Sequence, residues 1–170
     1  SLVVHIRGSN IFRRRRPNWK YGQPPCSYYL DIIRMKEWNK VILIAEDRKN
    51  PCVNVIEKFT EGFVSRSFFE DMSFILHAKN LVISRSTLTN AMVTLSPNLE
   101  NLYSFNHSRF FDVNVHNCVP TDHYFNNVIK VWKNNRLQID LMMKSKSCAV
   151  WQNFSKKCDR QIRRNLWDID

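Results

Sequence analysis

Glycine is the scarcest structural device in this chain of 170 residues, with Gly8, Gly22 and Gly62 the only three. No two stand at the spacing of a Gly-rich phosphate loop, so cofactor loops of the Walker and dinucleotide types are excluded. Long apolar runs are missing as well. The longest uninterrupted one, Val41 to Ala45, falls far short of the roughly 20 residues that cross a bilayer. No membrane span is expected. Ser1 to Ile6 is largely apolar but has neither a basic n-region nor a small-residue cleavage site, so it reads as a core strand rather than a signal peptide. The five cysteines (Cys26, Cys52, Cys118, Cys148 and Cys158) lie too far apart for any Cys-x-x-Cys motif, which argues against zinc and against a redox dithiol.

Acidic residues are few. Fifteen Asp and Glu face 26 Lys and Arg, a formal charge of +11. The excess sits at the two ends, in residues 1–60 and 130–170, while residues 61–129 are slightly acidic. Such a balance favours polyanions or anionic small molecules, or else describes a solvated basic face. At 44% apolar and 24% charged the chain has the composition of one globular domain with a proper core, not of a disordered or collagenous protein. Asn106-His107-Ser108 and Asn153-Phe154-Ser155 match the N-glycosylation acceptor pattern. With the cysteine count, they lean towards a secretory compartment, the Golgi or another lumen.

Short apolar strands alternate with helix-length segments. Leu2 to Ile6 predicts a strand, followed by a long loop holding Arg13-Arg14-Arg15-Arg16 and Pro24-Pro25. Ser27 is the expected cap of a helix over Tyr28 to Met35. Val41 to Ala45 predicts a second strand. Asn50-Pro51 then opens a helix with Val53, Val55, Ile56 and Phe59 inward. A short strand near Phe63 to Ser65, a helix over Phe68 to Ala78 with Glu70 and Asp71 in its first turn, and a strand over Leu81 to Ser84 follow. Ser86-Thr87 opens a helix to Leu95, and Leu99 to Phe105 offers another strand. Further helices are expected around Asp122 to Trp132 and Leu137 to Met143. The pattern predicts an α/β fold, a Rossmann-like doubly wound parallel sheet covered on both faces. Residues 1–143 form the expected domain and residues 144–170 a basic C-terminal tail. Cys26 and Cys52 open successive helices on one edge of such a sheet, so a disulfide between them is expected in an oxidising compartment.

In an open parallel sheet, ligands bind beyond the carboxyl ends of the strands. The polar clusters of this sequence fall there: His5 to Asn10, Glu46-Asp47 and Ser84 to Thr87, with Asp71 at a helix start. A cation, hydroxyls at a helix N-terminus and separate carboxylates suit a nucleotide. These residues also carry a resemblance. His5-Ile6-Arg7-Gly8-Ser9-Asn10 resembles the His-x-Arg-x-x-Asp motif of the GT-B fucosyltransferase superfamily, which includes the α1,2-, α1,6- and protein O-fucosyltransferases. The stretch from Glu70-Asp71 through Leu81-Val82-Ile83-Ser84-Arg85-Ser86-Thr87 resembles that superfamily's Asp-x-x-x-Leu-x-x-Ala-x-x-Leu-Val-x-Ser-x-Ser-Thr block. The likeness covers about residues 1–105. Asn10 stands where the motif has an acid.

The resemblance implies one half of a GT-B fold, the donor-binding half of a glycosyltransferase that moves fucose from GDP-fucose to a glycan or protein acceptor without a metal or cofactor. It puts Arg7 on the pyrophosphate as the catalytic group, Asp71 on the guanine edge, and Ser86 and Thr87 near the phosphates. His5, Asn10, Asp47 and Ser84 complete the expected donor-binding set, and the acceptor would sit on a second domain. Each residue also has a plainer reading: His5 as a hydrogen-bonded structural histidine, Asp71 as a first-turn carboxylate, Ser86 or Thr87 as an N-cap, and Arg7 as the ion-pair partner of Asp47. A different class, a basic module for nucleic acid or another polyanion, is motivated by the charge; the basic runs lack the interleaved aromatics of a stacking platform. An inactive relative that keeps only the fold is a third reading. Asp168-Ile169-Asp170 spells an Asp-x-Asp with no strand before it and is discounted.

Overall fold

The computed structural model describes residues 1–12, 21–61, 63–64, 67–106, 113–120, 124, 135–146 and 148–154. Seven strands form one sheet: β1 (Leu2–Ile6), β2 (Val41–Ala45), β3 (Phe63–Val64), β4 (Asn80–Val82), β5 (Asn101–Phe105), β6 (Asn114–Pro120) and β7 (Cys148–Phe154). Their order across the sheet is β3-β2-β1-β4-β5-β6-β7. Every pair is parallel except β6 with β7, which is antiparallel. The fold is thus the expected α/β, Rossmann-like, doubly wound arrangement, with one antiparallel edge strand added.

The chain winds outward from β1 to β3 and then returns to place β4 on the other side of β1. Reversing direction with crossovers of one hand puts the connecting helices on opposite faces. α1 (Cys26–Arg34), α2 (Pro51–Ile56) and α5 (Asn135–Lys144) cover one face, where Tyr28, Ile32, Val53, Ile56 and Met142 pack on Leu2, Val4, Leu43 and Tyr103. α3 (Phe68–His77) and α4 (Thr87–Leu95) cover the other, with Ile75, Met92 and Val93 against Val3, Ile44, Leu81 and Leu102. The runs in β1 and β2 are continuous rather than alternating because both faces are buried.

Local chemistry sets most helix starts. Asn50 caps α2, its side chain accepting the Cys52 N–H, with Pro51 in the first turn. Ser67 caps α3 and accepts from the Glu70 N–H, while the Glu70 carboxylate meets the Ser67 hydroxyl at 3.0 Å. Ser86 caps α4. The Cys26–Cys52 disulfide ties the starts of α1 and α2, with the Cα atoms 5.0 Å apart.

Several expectations need correction. α1 starts two residues earlier than expected, behind Pro25, and Ser27 is not its cap; the Ser27 hydroxyl donates to the Ser145 carbonyl after α5. Phe59 lies in a 3-10 turn that follows α2 and is exposed, since the tighter turn rotates it off the buried stripe. The division at residue 143 falls inside α5, and residues 148–154 are a strand of the sheet pinned by a second disulfide, Cys118–Cys148. The domain therefore extends at least to Phe154. The helix expected around Asp122 to Trp132 lies outside the described residues apart from Tyr124, as do Arg13 to Arg16, Cys158 and the terminal Asp-x-Asp.

Candidate functional site

The strand order reverses between β1 and β4, and the carboxyl ends of these two strands define the switch-point crevice of the sheet. A cavity of about 430 Å³ opens there between the N-terminal turns of α3 and α4. Its polar lining comes from His5, Arg7, Glu46, Ser67, Asp71 and Ser86, and its apolar lining includes Ile44, Phe68, Met72 and Leu88. A wider hollow of about 600 Å³ lies at the opposite, amino edge of β1 and β2. Val3, Ile42 and Phe74 line it together with Glu70, Ser73, His77 and Lys79, but it lies away from the carboxyl ends of the strands, where the ligand crevice of an open parallel sheet is expected.

Arg7 is held from three sides. Its N–H donates to Ser84 Oγ (3.0 Å), its carbonyl accepts from Asn50 Nδ2 (2.9 Å), and its guanidinium donates to Ser86 Oγ (3.2 Å). The same buried asparagine that caps α2 thus fixes the end of β1. Ser86 places the guanidinium beside the first turn of α4, where the helix dipole and the guanidinium present positive charge together.

His5 sits one step back. Its Nδ1 lies 3.1 Å from Ser84 Oγ and 3.0 Å from Thr89 Oγ1. Burial and, secondarily, the neighbouring Arg7 charge push its pKa down to about 4, so the ring is neutral near pH 7. A neutral imidazole packed against two hydroxyls orients Ser84, which in turn holds the Arg7 backbone.

Asp71 faces the cavity from the first turn of α3. Its Oδ1 is buried without a hydrogen-bond partner. Burial, then Glu70, then Glu46 raise its pKa to about 6. An unsatisfied carboxylate oxygen beside a crevice is costly in an empty site and suits a donor supplied by a ligand.

The expected residues divide accordingly. His5, Arg7, Asp71 and Ser86 line the crevice, with Ser84 directly behind them. Thr87 is exposed at the start of α4, outside the lining. Asn10 lies in the 3-10 turn Ser9–Ile11 that follows β1. Asp47 braces the backbone instead. Its Oδ1 accepts the N–H groups of Ser9 (3.1 Å) and Lys49 (2.9 Å), and its other oxygen pairs with Lys49 Nζ at 2.9 Å. A Cβ on Gly8 would meet Asp47 Oδ1 at 2.5 Å, so this glycine makes room for Asp47 rather than for a ligand. Reading the sequence alone missed Asn50 and Thr89 as supports of Arg7 and His5. A buried N-cap asparagine has a free amide N–H₂ that can reach a neighbouring loop, and that was the available signal.

Among the described residues no three His, Cys, Asp or Glu side chains converge as metal ligands, and no helix is long and apolar enough to cross a membrane. No protein-family model, curated protein or solved structure matches the chain.

Proposed function

We propose that the switch-point crevice binds a nucleotide-sugar donor and that the chain is the donor-binding half of a fucosyltransferase-like glycosyltransferase using GDP-fucose. The observation that carries this reading is Arg7, fixed through its N–H, its carbonyl and its guanidinium at the end of β1 and joined by Ser86 to the start of α4. A planar guanidinium beside a helix N-terminus matches the oxygens of a diphosphate.

In this reaction the acceptor hydroxyl attacks the anomeric carbon of the sugar, that carbon's bond to the β-phosphate oxygen breaks, and GDP leaves. Negative charge grows on the β-phosphate. Arg7 and the first turn of α4 stabilise it from fixed positions, which lowers the barrier without reorganisation. The acceptor and the base that takes its proton belong to a surface beyond these residues. Glycans or glycoproteins of a secretory lumen are the acceptor class in keeping with two disulfides and two glycosylation sequons.

Asp71 gives the reading its specificity. Its carboxylate, with Oδ1 unpartnered, can accept from the two adjacent donors on the guanine edge, one to each oxygen, a pair that uracil lacks. Calorimetric titration with GDP and UDP tests this. Asp71→Ala should weaken GDP binding about tenfold or more, the loss of a hydrogen bond to a charged group, and leave UDP nearly unchanged. Equal losses for both nucleotides, or no GDP binding by the intact chain, would overturn the proposal.

A further inference from the structure

We propose that Asn153, on the edge strand β7, is an N-glycosylation site whose amide is presented to solvent by His116, whatever the crevice binds.

The sequon Asn153-Phe154-Ser155 sits at the end of β7, opposite His116 in the β6 register. Asn153 is exposed. Its Oδ1 lies 3.0 Å from His116 Nδ1, while the other ring nitrogen, Nε2, lies 3.3 Å from Asn101 Oδ1. The imidazole stacks on Tyr103 with ring centroids 4.6 Å apart, which favours this orientation. Asn101 continues the row by donating to Asn80 Oδ1 at 2.9 Å. A row of amides and one imidazole therefore crosses four strands and ends at Asn153; with the ring proton on Nδ1, at the shorter of the two contacts, His116 donates to the Asn153 oxygen and leaves its nitrogen without a described partner.

A folded domain can keep a glycan only where the sugar clears the surface and the ligand site. Asn153 meets both conditions, because it lies at the amino edge of the parallel strands and the crevice lies at the carboxyl edge. β7 is the last strand of the sheet, and no described residue pairs with its outer flank. Exposed flanks of this kind template pairing with other chains, and a bulky polar group at the strand end blocks it. The Cys118–Cys148 disulfide, which anchors the start of β7, belongs to the same oxidising compartment as the modification.

The chemistry needs a lipid-diphosphate-linked oligosaccharide and a lumenal transferase. Asn153 Nδ2 forms a C–N bond to the anomeric carbon, the C–O bond to the diphosphate breaks, the lipid diphosphate leaves, and Nδ2 gives one proton to a base of the transferase.

The test directs the full chain through the secretory route of a eukaryotic cell with an added leader. Ser108→Ala first removes the other sequon without disturbing Asn106, whose φ of +52° suits asparagine. This protein should carry one peptide N-glycosidase-sensitive glycan, mapped to the Asn153 peptide. Adding Ser155→Ala should abolish it while keeping the Asn153–His116 contact, so a folding defect from losing that contact is avoided. Peptide mapping of the total cellular chain covers the case of poor export. An unmodified Asn153 in protein whose two disulfides have formed would overturn the proposal.

Discussion

At the scale of single residues, Arg7 is fixed by hydrogen bonds while Asp71 keeps a buried oxygen without one, and both conditions have measurable consequences. Arg7 owes its position to backbone bonds that a lysine would keep, because the N–H to Ser84 and the carbonyl to Asn50 do not involve its side chain. Arg7→Lys should therefore fold with nearly unchanged Tm but lose GDP affinity by tenfold or more, since the ammonium cannot form the planar fork on two phosphate oxygens. A drop in Tm with unchanged GDP affinity in the folded fraction would instead mark Arg7 as purely structural. Asp71 has a folded pKa raised to about 6 by burial, Glu70 and Glu46, above its ordinary value of 3.8. The folded state then holds a proton that the unfolded state has released, so stability falls as pH rises between roughly 4 and 6, and the ionised cost is fully present above 6. Asp71→Asn should raise Tm at pH 7.5 and make little difference at pH 4. Denaturation at the two pH values checks this, and equal shifts at both would show that the carboxylate is not destabilised by its site.

Elements were legible in the sequence to the degree that their own residues determine them. β1 and β2 announce themselves as continuous apolar runs because both faces are covered, and the caps Asn50 and Ser86 work within one turn of their helices. The crevice was partly legible for the same reason, since His5 lies near the end of β1 and Arg7, Ser84 and Ser86 follow the ends of β1 and β4. What escaped notice depends on contacts distant in sequence. Ser27 looks like a cap, but tertiary packing gives its hydroxyl to Ser145. β6, with Asn114, His116 and Asn117 among its residues, lacks the apolar run of a buried strand; its amide and imidazole groups pair with β5 and β7 side chains instead. β7 is an edge strand in a stretch without clear periodicity, and one of its anchors is a disulfide to a cysteine 30 positions earlier. By loop-closure entropy, a crosslink of that span stabilises by about 3–4 kcal/mol. Replacing Cys118 and Cys148 together by Ala should lower stability by an amount of that order. Hydrogen exchange should show the loss of protection concentrated in β6 and β7, while β1, β2 and β4 keep theirs. Uniform loss across the sheet would mean that β7 is integral to the core rather than added to its edge.

The whole molecule carries +11, and that charge bears on ligand choice only through where it lies. The crevice mixes signs, with Arg7 against Glu46 and Asp71, so it holds no cationic field broad enough to track a nucleic-acid backbone. The basic excess belongs to residues 1–60 and 130–170, away from the acidic middle of the chain. These two facts predict different salt responses for two classes of ligand. Binding in the crevice should rest on one oriented guanidinium, a helix start and a base-reading carboxylate, so raising salt from about 50 to 200 mM should weaken GDP only a few-fold. A single-stranded oligonucleotide that meets several exposed cations releases counterions at each, with a log–log slope of about −0.7 per phosphate contact, and should lose orders of magnitude over the same range. Arg14→Ala with Arg15→Ala should reduce the oligonucleotide slope and leave GDP alone. The decisive measurement is competition. GDP should not displace an oligonucleotide bound at low salt, because the crevice mixes signs and offers a polynucleotide a single guanidinium. Displacement, together with oligonucleotide affinity that survives 200 mM salt, would move the functional centre of this protein from a donor crevice to a polyanion groove.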